Sequence, residues 1–203
     1  MSTVADVAII DSGGANPASL RYALDRLGAR SLVSSDAAVI AAAPRVLLPG
    51  VGAAADAMAR LRASGLDRVI AQLRAPLLGI CLGMQLLFEH SDEGDTACLG
   101  VIDGRIERLR AAPGLPVPHM GWNTLTQTVA DPLLAGIQPE DRLYFVHSFA
   151  AGVGAGTLAS VQYGGERCAV VRRENFCGVQ FHPERSSAAG ARILSNFLTL
   201  PCC

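Results

Sequence analysis

Cys81 ends the apolar run Leu77-Leu78-Gly79-Ile80 and is followed by Leu82-Gly83-Met84-Gln85, where the pattern turns helical. A cysteine at such a strand-to-helix junction is the G-x-C-x-G counterpart of a serine nucleophile elbow, with Gly79 and Gly83 leaving room around it. The junction also sets the sulfur near a helix N-terminus, whose dipole favours thiolate over thiol. A thiolate so placed attacks carbonyl carbon. Taken alone, the run fits a cysteine packed as a small hydrophobe equally well.

The segment Gly178-Val179-Gln180-Phe181-His182-Pro183-Glu184 breaks that tie. Pro183 keeps His182 out of helical geometry, so the segment is expected to be extended, with residues i and i+2 on one side. Glu184 can then hold the imidazole whose other nitrogen faces Cys81, the arrangement of a base that later serves as an acid. A third piece, Pro49-Gly50-Val51-Gly52, follows an apolar strand and supplies flexible backbone donors. The N–H groups of Val51 and Gly52, with that of Leu82, are expected to hold the oxyanion formed when Cys81 attacks. The same loop matches the looser dinucleotide fingerprint G-x-G-x-x-A. It follows the third strand rather than the first, however, and Asp67 falls within a helical pattern, so no dinucleotide site is expected.

These pieces need a scaffold, and the first half of the chain reads as one. Val7–Ile10 is a short apolar run ending in a turn, and Asn16-Pro17 reads as N-cap and first residue of a helix. Leu20, Ala23, Leu24 and Leu27 recur at helical spacing until Gly28. Strands are expected at about 31–34, 45–48 and 76–80, with helical stretches up to Arg74. Fully apolar strands alternating with helices imply a parallel sheet covered on both faces. From Gly104 to Phe181 strand-like segments dominate: 105–109, 123–129, 143–149, 157–163, 168–173 and 176–181, before a last helix over 187–198. The expected fold is a single α/β domain over residues 1–203, a central mostly parallel sheet flanked by helices with an antiparallel β extension.

Half of the 203 residues are hydrophobic and 17% are charged, which suffices for one sizeable core. All 17 basic residues are arginine, so Schiff-base and P-loop lysine chemistry is excluded. A net charge of −1, with no arginine-rich face interleaved with aromatics, speaks against nucleic acid as a partner. The six cysteines, at 81, 98, 168, 177, 202 and 203, form no C-x-x-C pair and no zinc-ligand spacing. Neither a metal nor a cofactor is expected. The N-terminus lacks the features of a signal peptide, and no apolar run approaches the ~18 residues of a membrane span. A cytoplasmic setting with reduced thiols is the expectation.

Gly79–Gln85 together with His182-Pro183-Glu184 resembles the class I (triad) glutamine amidotransferases. Pro49–Gly52, Pro118-His119-Met120-Gly121-Trp122-Asn123, Tyr144-Phe145-Val146-His147-Ser148 and Gly178–Ser186 are similar to the branch of that family that serves imidazole glycerol phosphate synthase in histidine biosynthesis. The resemblance runs in order from Asp11 to the last helix. It implies that Cys81 is the nucleophile, His182 the acid and base, and Glu184 the residue that orients it. Gly50, Gln85, Glu93, His147 and Ser148 match positions that hold substrate glutamine. A glutamyl thioester forms, ammonia leaves, and water releases glutamate. Phe149 stands where tyrosine is usual, Pro17 where leucine is more common, and Arg185 where lysine is also common.

One expectation needs no resemblance. The motifs use up the single domain and leave no site for an ammonia acceptor, and ammonia released into water is protonated and lost as a nucleophile. A second chain is implied. In the resembling branch it is a (β/α)8-barrel cyclase, forming a heterodimer that makes imidazole glycerol phosphate and aminoimidazole carboxamide ribonucleotide. Asn16, Trp122, Asn123 and Arg185 are the candidate docking residues, and the Gly50–Gly52 loop is expected to be misoriented until the partner binds its own substrate. Two rival readings are an amidotransferase subunit serving a different synthase and a non-catalytic, thiol-sensing homologue.

Overall fold

Within strand β1 (Val7–Ile10) all four side chains are buried, and they divide between two cores: Val7 and Ile9 enter one, Ala8 and Ile10 the other. This is the signature of a strand covered on both faces, and it explains the continuous apolar run. The structure, a computed structural model, describes residues 5–13 and 17–201. After β1 come α1 (Ala18–Arg26), β2 (Ser31–Ser34), α2 (Ala37–Ala42), β3 (Val46–Gly50), α3 (Ala54–Ala63), α4 (Leu66–Ala71), β4 (Leu77–Cys81) and the single-turn α5 (Leu82–Gln85). The second half contains β5 (His90–Ser91), β6 (Thr96–Ala97), β7 (Arg105–Arg108), β8 (His119–Asn123), β9 (Gln127–Thr128), β10 (Leu143–His147), β11 (Phe149–Ala151), β12 (Thr157–Gln162), β13 (Glu166–Arg173), β14 (Phe176–Val179) and α6 (Ser187–Thr199).

The main sheet runs β2-β1-β3-β4-β14-β13-β12-β9. Its first five strands are parallel to their neighbours, and β13, β12 and β9 extend it antiparallel. The expected α/β class with an antiparallel extension is what forms. One core lies under α1 and α6, around Leu24, Phe181 and Phe197; the other lies under α2, α3 and α4, around Ile40, Met58 and Leu66.

The insertion of β14 beside β4 does most to build the site. Val179 pairs with Ile80, so the residues that follow, Gln180 to Glu184, emerge next to Cys81. On the other side of β4, Gly50 pairs with Cys81 itself. The sheet alone therefore places the donor loop and the His-Pro-Glu segment on either side of the sulfur.

Several boundaries differ from expectation. The strand expected at 123–129 is two, β8 and β9, in different sheets, and that at 143–149 breaks at Ser148 into β10 and β11. β8 and β10 make a separate antiparallel ribbon, and β11, β7, β5 and β6 a small four-stranded sheet in which β5 and β7 are parallel. Two-residue strands such as β5 are defined by their partners and carry no pattern of their own. Pro17 takes the cap position of α1 with helical backbone angles, one place earlier than expected, while Asn16 lies outside the described residues. Gly28, at φ 75°, closes α1 as expected.

Candidate active site

Cys81 sits at φ 54°, ψ −112°, a conformation that costs about 1–3 kcal/mol for a residue with a Cβ. The turn holds because α5 presses on β3. A methyl group on Gly83 would overlap the Leu48 carbonyl oxygen, and one on Gly79 would lie 2.6 Å from the Gly83 oxygen. Glycine at both positions is thus a requirement of the elbow. Nine-tenths buried, Cys81 Sγ lies 3.8 Å from the Val146 oxygen and 3.8 Å from Gln180 Nε2.

His182 is extended, at φ −98°, ψ 97°, as the following proline dictates. Pro183–Arg185 then closes a 3₁₀ turn, so the expected extended run stops at His182. Glu184 still comes round to its histidine: Oε1 is 2.8 Å from Nδ1. Burial opposes a charge on this ring, but contacts with the Cys81 sulfur and the Glu184 carboxylate outweigh it and push the His182 pKa up to about 10. The arrangement favours an imidazolium beside the Cys81 sulfur. By contrast, burial pushes the Cys98 and Cys168 thiols up to about 11, where they stay protonated at neutral pH.

The backbone of this segment is clamped from behind. Ser186, fully buried, donates from Oγ to the His182 oxygen at 2.7 Å and accepts from the Tyr144 N–H at 2.9 Å, while His182 N–H donates to the Tyr144 oxygen at 2.9 Å. Ser186 had no expected role, although a serine two residues past a catalytic-type carboxylate, before a helix, is a capping candidate.

A cavity of about 670 Å³ opens over Cys81, within the size range of small-molecule sites. The expected residues Gly50, Val51, Gly52, Leu82, Gln85, Glu93, His147 and Ser148 all line it, as do His182, Glu184 and Arg185. Glu93 reaches it from the β5–β6 turn and accepts the Ala54 N–H at 2.8 Å, closing the start of α3 next to the donor loop. Gln85 is buried, and its Nε2 donates to the Phe149 oxygen at 2.8 Å and to Gln180 Oε1 at 3.0 Å. Trp122 lies outside the cavity. It is 46% exposed and packs edge-on against Tyr144, with Met120 beside it at 67% exposure. Asn123 is half-buried on the ribbon's other face, donating to the Gln162 oxygen.

That inner face carries a buried histidine pair. Phe149's carbonyl can only accept, so His147 donates to it from Nδ1, at 2.8 Å, and must accept at Nε2. His119 Nδ1 supplies that proton at 3.1 Å, and the His119 ring is sandwiched between Phe145 and Tyr163. Burial holds His119 and His147 at about 4, so both rings are neutral at physiological pH. Among the described residues no group of three or more His, Cys, Asp or Glu is placed to hold a metal, and no helix is long and apolar enough to cross a membrane.

A cysteine on a strained strand–helix turn, faced by a carboxylate-bound histidine at the carboxyl edge of an α/β sheet, is the architecture of cysteine-nucleophile acyl-transfer enzymes. Residues 8–200 match the family Glutamine amidotransferase class-I, and the chain belongs to that family. The imidazole glycerol phosphate synthase subunit HisH of Xanthomonas campestris pv. campestris (strain 8004) is 55% identical over 195 residues, 96% of this chain and 98% of that protein. The protein of the same description from Xylella fastidiosa (strain Temecula1 / ATCC 700964) is 53% identical over the same coverage. A crystal structure of a glutamine amidotransferase shares the fold at TM-score 0.73 and 19% identity, over 95% of this chain and 96% of that one. PurLQS from Thermotoga maritima does so at TM-score 0.65 and 20% identity, also over 95% and 96%.

Proposed function

We propose that this chain, as one glutaminase domain over residues 1–203, is the glutaminase subunit of imidazole glycerol phosphate synthase and passes ammonia to a separate (β/α)8-barrel cyclase subunit. The observation that carries the reading is Cys81 at the elbow with the Glu184-bound His182 against its sulfur, inside a cavity suited to a small amide. Identity of 55% over nearly the whole length to proteins named as that subunit supports the choice of synthase.

In this mechanism the Cys81 thiolate attacks the side-chain carboxamide carbon of glutamine. The carbonyl oxygen takes the negative charge, and N–H groups of Leu82, Val51 and Gly52 stabilise it. The imidazolium of His182 gives its proton to the amide nitrogen, the C–N bond breaks, and ammonia leaves a γ-glutamyl thioester. His182, now neutral, takes a proton from water as the water oxygen attacks the thioester. The C–S bond breaks, glutamate leaves, and the thiolate–imidazolium pair is restored. Glutamine and water have become glutamate and ammonia. Glu184 holds the ring so that its other nitrogen faces sulfur and substrate throughout. Gln85, Glu93 and the backbone at Gly50, His147 and Ser148 hold the substrate.

Ammonia must leave without meeting water. Arg185 at the cavity mouth and the exposed ribbon face of Met120, Trp122 and Tyr144 support docking of the cyclase on this side. Asn123 turns away from this face, and Asn16 lies outside the described residues. A biosynthetic enzyme that depends on a reduced thiol fits the cytoplasm. A diazoketone analogue of glutamine, incubated with the assembled synthase, tests the reading: peptide mass mapping should find the adduct on Cys81. Protection by glutamine with no adduct at Cys81 would overturn it.

A further inference from the structure

Gln180 is fully buried within the otherwise apolar segment 176–181, and a buried amide needs partners for both of its ends. Those partners can be ordered from a single atom. The Phe149 carbonyl accepts from Gln85 Nε2 at 2.8 Å and from His147 Nδ1 at 2.8 Å, so both of its lone pairs are used. Gln85 therefore has its nitrogen, not its oxygen, at that end. Its second N–H points to Gln180 Oε1 at 3.0 Å. Gln180 in turn must face the other way, with Nε2 3.8 Å from Cys81 Sγ. Flipping Gln180 would set oxygen against nothing but sulfur and nitrogen against nitrogen.

We propose that Gln180 is a further catalytic residue, whose side-chain N–H stabilises the Cys81 thiolate in an orientation imposed by Gln85 and the Phe149 carbonyl. Deepening the glutaminase reading, this rests on Cys81 being the nucleophile. The contact acts twice. It favours the thiolate before attack, and it favours the departing sulfur when water cleaves the thioester. The titratable and charged groups lining the cavity over this sulfur are His182, Glu184, Arg185, His147 and Glu93, of which His182 contacts it. Of the two uncharged polar groups 3.8 Å from the sulfur, the Val146 oxygen can only accept and Gln180 Nε2 donates, so the Gln180 effect adds to that of the charged groups without changing the net charge of the site.

The test uses Gln180→Met, which keeps the shape and removes the donor, and Gln180→Glu, which sets an acceptor against the sulfur. Alkylation of Cys81 by iodoacetamide across pH, followed by mass spectrometry, reads the sulfur directly. The acid limb should move up by about one pH unit in Gln180→Met, the worth of one hydrogen bond to a charged group, and further in Gln180→Glu. With the cyclase present, kcat for glutamine should fall about tenfold or more while KM stays within about threefold. A merely structural role would lower the melting temperature without that ordered shift. Parent-like alkylation profiles in both folded variants, or a raised KM at unchanged kcat, would overturn the proposal. Should neither variant fold, the side-chain amide 15N–1H signals of Gln180 in the unaltered protein decide: they must shift with the midpoint at which Cys81 titrates, and their indifference would refute the contact. Failure of the nucleophile reading looks different, because Cys81→Ser would then keep its turnover.

Discussion

Gly190, on the first turns of α6, offers a test in which local propensity and tertiary packing make opposite forecasts. Alanine in place of glycine within a helix ordinarily stabilises by about 1 kcal/mol. At Gly190 a methyl would overlap the Pro183 carbonyl oxygen and lie 2.7 Å from Ser186 Cβ. Moving the methyl out of overlap to ordinary contact with the Pro183 oxygen, at 3.4 Å or more, requires helix and 3₁₀ turn to part by more than about 1 Å, an overpacking cost of about 1–3 kcal/mol. The parts displaced are those that aim His182: Ser186 Oγ holds the His182 oxygen, and Pro183 links His182 to Glu184. Gly190→Ala should therefore melt a few degrees lower, at about 2–4 °C per kcal/mol for a chain of this size. A misplacement of about 1 Å near the chemistry is enough for a loss of about 10²-fold in glutamine-dependent kcat/KM. The assays are thermal melting of the chain and steady-state kinetics of the synthase with glutamine and with ammonium salts. Ammonium-driven synthesis should be untouched. Equal or higher stability with parent kinetics would show that the α6–turn contact does not set the position of His182.

Glu184→Gln removes the carboxylate 2.8 Å from His182 Nδ1, one of the two contacts holding that pKa up to about 10. The basic limb of the glutaminase pH profile should move to lower pH and kcat should drop about 10²-fold; an unmoved limb would refute the assigned role. For His147 the folded pKa of about 4 lies below its unfolded value near 6.5, so the unfolded chain binds its proton first. Its contribution is full above pH 6.5 and is lost as pH falls towards 4, by about 3 kcal/mol in total. His182 does not offset this, since its raised pKa makes its own contribution constant below pH 6.5. Denaturant unfolding between pH 7 and 4 should show the loss, and His147→Gln should reduce it, leaving the part that His119, also held at about 4, contributes in the same window. The isolated chain is expected to hydrolyse glutamine slowly, with turnover rising once the cyclase and its substrate are present; full activity of the purified subunit alone would contradict a partner-controlled donor loop.

The parallel half of the sheet was legible because each of its inner strands is buried on both faces, so Val7–Ile10 and Leu77–Ile80 appear as unbroken apolar runs. The elbow was legible only together with His182-Pro183-Glu184, since a cysteine between two glycines at the end of such a run packs as a small hydrophobe equally well. The ribbon of β8 and β10 was not. Its two strands are 20 residues apart in the chain and pair only with each other, and their alternation of buried and exposed residues matches any half-covered strand. His119 carried no spacing signal, because its importance comes from stacking with Phe145 and Tyr163 and from a proton given to His147. Gln180 did leave a trace. A lone amide at the end of a buried apolar run has to be hydrogen-bonded inside, and two residues before His182 it shares the side that faces Cys81.

The proposed division of labour has Cys81 release ammonia for use by another chain. Its most direct test is Cys81→Ala in the assembled synthase, with product formation measured from glutamine and, separately, from ammonium salts. Glutamine-driven synthesis should disappear while ammonium-driven synthesis continues at the parent rate. Synthesis from glutamine that survives the substitution, or loss of the ammonium-driven reaction in an intact complex, would contradict it.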